Sequence, residues 1–176
     1  MIFVEAVDSM NAHRRLYTDA QLTGLVNHGA SRRYLTTRGL PAQNALFQAA
    51  SSPHALSSPS ALDVTGPPTS YVIIGWTLAG LLIGLDADSG EVVAIDHQLG
   101  DRAEHANADL QSFVSSIEEF DERVPFYEAP LTAEQLEQSA LALRSRLAEI
   151  DATSVSAEGG FWDSLVFDVG LGDYSD

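Results

Sequence analysis

The chain has 176 residues, of which 25 are acidic and nine basic, for a formal net charge of −16. All nine bases are arginine; five of them stand among residues 1–44 against three acids, a net of +2, which leaves −18 on the remainder. Such a field disfavours nucleic acid and membrane surfaces and draws in basic partners, while the absence of cysteine excludes disulfides, thiolate metal sites and thiol catalysis.

This length fits one domain with a core of its own. The start, Met1-Ile2-Phe3-Val4-Glu5, has neither the basic residues nor the apolar run of a secretory signal. The longest apolar run, Tyr71–Leu85, is shorter than the ~18 residues a membrane span needs and contains Gly75, Gly80 and Gly84. A cytoplasmic protein is the expectation, and a cysteine-free composition fits a reducing compartment.

In chain order, residues 1–17 begin apolar and turn polar, and are compatible with an added strand, a short helix or a loose arm. Thr18 with Gln21 forms a capping-box pattern that predicts a short helix to about Val26, stopped by Asn27-His28-Gly29. Ser31 is placed to cap a second, Arg32–Arg38, closed by Gly39 and Pro41. Ala45-Leu46-Phe47 is a weak strand candidate. Ser51–Ser70, rich in Ser and Pro and broken by Gly66-Pro67-Pro68, reads as a long surface loop with one short strand at most, Ala61–Val64.

Tyr71–Thr77, Leu81–Asp86 and Glu91–Asp96 read as three consecutive antiparallel strands, the last two joined by a hairpin turn at Asp88-Ser89-Gly90. Leu99–Asn107 reads as a polar loop ending in Asn107 as a helix cap. Leu110, Phe113, Val114, Ile117 and Phe120 then give Ala108–Phe120 an apolar helical face. After Pro125 and Pro130, Thr132 with Gln135 opens a long helix, Ala133–Ile150. Trp162, Leu165, Val166 and Val169 suit a last helix ended by Gly170, with a strand as the alternative. Trp76 and Trp162 read as core residues. The fold class is therefore α+β, a central antiparallel sheet with its meander at residues 71–96 and helices around it.

No residue pattern specifies a reaction. Asp86-Ala87-Asp88-Ser89-Gly90-Glu91 offers alternate carboxylates, but an EF-hand loop counted from Asp86 needs glycine where Glu91 stands and a bidentate acid where His97 stands. Asp96-His97 and His105 match no zinc spacing. There is no G-x-S-x-G, no P-loop and no dinucleotide fingerprint, and the aromatic-basic interleaving of nucleic-acid binders is missing. No metal or cofactor is expected.

One resemblance does connect these parts. The segment Tyr34-Leu35-Thr36-Thr37-Arg38-Gly39-Leu40-Pro41, a strand ending in Gly75-Trp76, Ile83-Gly84-Leu85-Asp86 leading to Ser89-Gly90-Glu91-Val92, and Asn107-Ala108-Asp109-Leu110-Gln111-Ser112-Phe113 opening a helix follow one another as in the SUKH superfamily. Within it the chain resembles the fourth SUKH group of bacterial immunity proteins over most of residues 20–170. The resemblance implies one SUKH-like domain over residues 18–176, with residues 1–17 as an arm. It also implies a non-enzymatic binder that neutralises a toxin of a polymorphic toxin system, many such toxins being nucleases or nucleic-acid deaminases. The long Ser51–Ser70 loop and the N-terminal arm depart from the family pattern, and the matching positions are mainly structural.

Charge adds what the resemblance leaves out. A toxin acting on nucleic acid needs a basic cleft, towards which an acidic inhibitor is steered. The candidate contacts are the turn acids Asp86, Asp88, Glu91 and Asp96 and the helix-end acids Glu118, Glu119, Asp121 and Glu122. Two other readings make different demands. A regulatory adaptor, the role of a fungal relative in cell-wall signalling, needs several partners; an acid-dependent hydrolase needs two carboxylates converging in one pocket.

Overall fold

The computed structural model describes residues 14–56, 70–96, 102–125 and 132–174, with Arg102 by its backbone alone. In chain order its elements are β1 (Arg14–Arg15), α1 (Asp19–Leu22), α2 (Gly29–Thr37), β2 (Leu40–Pro41), β3 (Phe47–Ala55), β4 (Tyr71–Thr77), β5 (Leu82–Asp86), β6 (Val92–Asp96), β7 (Arg102–Asn107), α3 (Leu110–Asp121), α4 (Ala133–Ile150) and α5 (Phe161–Leu171). Strands β3 to β7 form one antiparallel sheet in sequence order, and β1 pairs with β2 in a separate two-stranded sheet. The fold is α+β, with the predicted meander at its centre.

The two outer strands of the large sheet are where the sequence expectations need correction. Ser51–Ala55 belongs to β3 and not to the Ser/Pro-rich loop, because pairing with β4 overrides weak local propensity. Pro53 is tolerated there since β3 is an edge strand and its register shifts between Ala49 and His54. Residues 57–69 of that loop, with Ala61–Val64 among them, lie outside the described residues, as do residues 1–13. Residues 102–107 are likewise strand β7 and not loop; its polar sequence, RAEHAN, suits an edge that pairs only with β6.

Helix ends also differ from expectation in physically legible ways. The capping boxes at Thr18 and Thr132 form as predicted, but α1 stops at Leu22, with Gly24 just beyond it at φ +76°. Helix α2 starts at Gly29, so Ser31 is inside it; the buried Ser31 hydroxyl bonds His28 Nδ1 at 2.8 Å instead of capping. Helix α3 is capped by Asp109, which accepts from the Ser112 amide at 2.8 Å, because Asn107 is buried. Helix α5 runs through Gly170 and ends at Gly172, whose φ of +94° makes the left-handed stop.

All five described helices and strands β2 to β7 contribute to one core that runs from Tyr17 to Val169 and includes Phe47, Ile74, Ile83, Phe113, Leu147 and Trp162. A smaller cluster, Ile73, Val93 and Ile95, occupies the opposite sheet face, and no described helix contributes to it. The β1–β2 sheet is tied to the core through Tyr17, whose hydroxyl donates to the Ala50 carbonyl at 2.7 Å. Burial pushes that phenol up to about 12, against a lesser opposing effect of Arg15.

The core has one buried polar junction. Asn107, wholly buried, accepts from the Trp162 indole at 3.0 Å and donates to Asp151 at 3.1 Å. Asp151 also accepts from the amides of Ala108 at 2.8 Å and Thr153 at 3.0 Å and from the Thr153 hydroxyl at 2.6 Å. One carboxylate thus fastens the end of α4 to the start of α3 and, through Asn107, to α5. Burial alone would raise its carboxyl, but these hydrogen bonds outweigh burial and hold it below the usual value.

Candidate functional site

Seven of the eight candidate acids fall into two groups at opposite ends of α3, and Asp96, paired in register with Arg102, stands at the far end of β6. The turn Asp86–Glu91 packs on the residues before α2: the amides of Asn27 and His28 donate to the Ala87 carbonyl at 2.9 and 2.8 Å. His28 in turn lines a shallow hollow with Asp109, Leu110 and Gln111 at the start of α3. The other group stands at the far end of that helix, roughly 18 Å away for twelve residues.

In the turn, most carboxylates already have protein partners. Asp86 is buried and accepts from the amides of Asp88 at 2.9 Å and Ser89 at 2.8 Å, the geometry of an Asx turn. Gly90 completes it at φ +82°, where a Cβ would come within 2.2 Å of His28 Nδ1, so both the backbone and the packing demand glycine. Asp88 is exposed and accepts from Asn27 at 2.7 Å. Glu91 faces His105 Nδ1 at 2.6 Å, whose Nε2 reaches Thr153 Oγ1 at 2.9 Å. Asp96 is partly exposed at the end of β6.

At the helix end, acids unfavourable to the α3 dipole are matched by cations. Glu118 pairs with Arg14, which also donates to the Gly39 carbonyl at 3.1 Å. Glu119 takes Arg123 at 2.7 Å and Arg146 at 3.3 Å. Asp121 accepts from the Ala45 amide at 2.7 Å, and Asn44 donates to the Ile117 carbonyl at 3.2 Å, so the loop before β3 is fastened to the helix. Arg14, Pro41, Gln43 and Asn44 join Glu118, Asp121 and Glu122 around an open hollow of about 320 Å³. Arg14, Gln43 and Asn44 had no signal in the sequence, since only the β1–β2 pairing and the Asn44 turn bring them to this helix end.

Three acids outside the predicted set have displaced carboxyl groups, and they stand apart. Asp151 is in the buried junction. Asp163 is lowered by Arg144 and by the Gly159 amide, which donates at 2.8 Å. Asp168 is raised by partial burial and by the charge of Asp173. None of the three lines either hollow at the ends of α3. Among the described residues no group of three or more His, Asp or Glu is placed to hold a metal ion, and no helix is long and apolar enough to cross a membrane.

The tryptophans part company. Trp162 is fully buried, but Trp76 is 36% exposed and Leu78 beyond it 59%. Trp76 is paired with Gln48 and Leu82, on the sheet face away from the helices, so it is not the core residue its apolar strand predicts. Exposed aromatic side chains are common anchors for protein partners.

A helix-backed antiparallel sheet with acids at its turns and helix ends defines a protein of the α+β class. The family model "SUKH-4 immunity protein" matches residues 4–168, and the chain belongs to that family. No curated protein and no solved structure matches it significantly.

Proposed function

We propose that this chain binds a cognate toxin domain with a basic, nucleic-acid-handling cleft and blocks it sterically and electrostatically, in the cytoplasm and without chemistry of its own. The family match over residues 4–168 carries the reading, because toxin neutralisation is what the family name denotes. The charge of −16 supports a basic partner. Residues 18–176 act as one SUKH-like domain, with residues 1–17 as an arm in which Arg14–Arg15 pair with β2 and Tyr17 enters the core. Glu118, Asp121 and Glu122 around the hollow at the end of α3, and Asp88, Glu91 and Asp96 along β6 and its turn, add to the negative field that steers such a partner.

The reading is tested by co-expression with the toxin domain encoded in the neighbouring gene. Cells producing that domain alone are expected to stop growing and cells producing both to grow normally. Continued growth arrest in the presence of folded protein contradicts the proposal. Recovery of several unrelated partners, with no rescue, points to an adaptor instead.

A further inference from the structure

Helix α5 is mostly apolar, yet the described residues cover only part of it. Phe161, Trp162, Leu165, Val166 and Val169 are buried, whereas Phe167 and Leu171, four residues apart on one flank, are 64% and 62% exposed. A helix of such composition is ordinarily enclosed on all sides. Its neighbour α4 runs antiparallel to it: Arg144 pairs with Asp163, a Cβ on Gly170 would stand 3.5 Å from that of Ala140, and Gly172 lies against Leu136. Phe167 is one turn beyond Asp163 and Leu141 one turn before Arg144, so both fall on the same side of the α4–α5 seam, and Leu141 is also 56% exposed. Three large apolar side chains thus form a strip along two helices that no described residue covers.

The surroundings of this strip say what kind of surface covers it. Glu134 and Glu137 precede Leu141 along α4, and Asp168 and Asp173 flank Leu171. Helix α5 contains no basic residue, and Arg144 is engaged by Asp163. At the end of α3, by contrast, Arg14, Arg123 and Arg146 pair with Glu118 and Glu119 and leave Asp121 and Glu122 as the excess, so the local surplus of negative charge is larger on the α4–α5 face. Partial burial, and then the charge of Asp173, make Asp168 harder to ionise, which a cation from outside relieves. A second copy of the chain brings the same acids opposite these and is repelled; a basic protein is not.

We infer that the outer face of α4 and α5, centred on Leu141, Phe167 and Leu171 and rimmed by Glu134, Glu137, Asp168 and Asp173, is the docking surface for the basic toxin domain. An apolar projection of the partner covers the strip while its Lys and Arg residues meet the rim, the arrangement of an energetic centre inside a polar ring. This rests on the function proposed above.

The test measures binding of the inactivated neighbouring toxin domain to the full chain and to Phe167→Ala, Leu171→Ala and the double variant, with folding checked by circular dichroism. These side chains are mostly exposed, so the variants are expected to fold; each is expected to weaken binding roughly tenfold and the double variant on the order of a hundredfold, with protection lost in co-expression. If the parent chain binds and the double variant binds equally well, the surface is wrong while the function stands. If the parent does not bind at all, the functional reading itself has failed. Sedimentation showing a parent dimer that the double variant dissolves also overturns the inference, by assigning the strip to self-association.

Discussion

The Asp151→Ala variant is expected to lose about 3 kcal/mol of stability in chemical denaturation, or on the order of 10 °C in melting temperature for a chain of this size. The substitution removes the acceptor for the buried Asn107 amide and for the more accessible Ala108 and Thr153 amides and Thr153 hydroxyl. The buried Asn107 donor left unpaired costs more than its bond contributes, and three further bonds that fix the end of α4 are lost with it, which is why one carboxylate has so large an effect. A loss under about 1 kcal/mol would mean that the junction does not hold α3, α4 and α5 together. The same group has a pH signature. Its folded carboxyl titrates below its unfolded value, so its contribution is complete above about pH 5 and is lost as pH falls through the folded value. The parent chain is therefore expected to lose stability between about pH 5 and pH 2 more steeply than Asp151→Asn, and parallel curves for the two contradict this assignment.

Gly75→Ala is expected to destabilise by about 3 kcal/mol, at the upper end of the cost of overpacking. A Cβ at that position would lie 2.4 Å from the Gln48 carbonyl oxygen and 2.4 Å from the Phe47 ring. Neither can retreat: Gln48 is in β3, paired with β4, and Phe47 is wholly buried with its ring edge-on to Phe113 at 5.6 Å. Gly29→Ala is the control, since a Cβ at the start of α2 meets nothing within 4 Å; it is expected to be neutral or slightly stabilising. Equal stability of the Gly75 and Gly29 variants would refute the close approach of β3 and β4.

These two positions also show what was legible in the sequence. The meander and long helices were, because their apolar spacing and capping residues act locally: Tyr71–Thr77 and Ala133–Ile150 fall where the pattern puts them. The edge strands were not. Ser51–Ala55 and Arg102–Asn107 are strands only because β4 and β6 offer them hydrogen bonds, a non-local cause that Ser, Pro and charged residues mask. Asn107 looked like a cap and is instead the buried centre of a junction whose members, Asp151 and Trp162, are 44 and 55 residues away.

The candidate site divides in the same way. Acidity was plain from composition, but the partners of each acid were not: Asp86 is spent on its own turn, Glu118 on Arg14 and Glu119 on two arginines. The strip at Leu141, Phe167 and Leu171 was hidden for the opposite reason. An apolar helix reads as core from sequence, and only its packing on one side of α4 shows which residues are left over.

The central claim is that an acidic surface captures a basic toxin, and the salt dependence of binding tests it most directly. Measured by calorimetry against the inactivated neighbouring toxin domain, the Kd is expected to rise on the order of tenfold or more as salt increases from about 0.05 to about 0.5 M, mainly through slower association. Absence of binding, or an affinity that does not change with salt, would contradict the account.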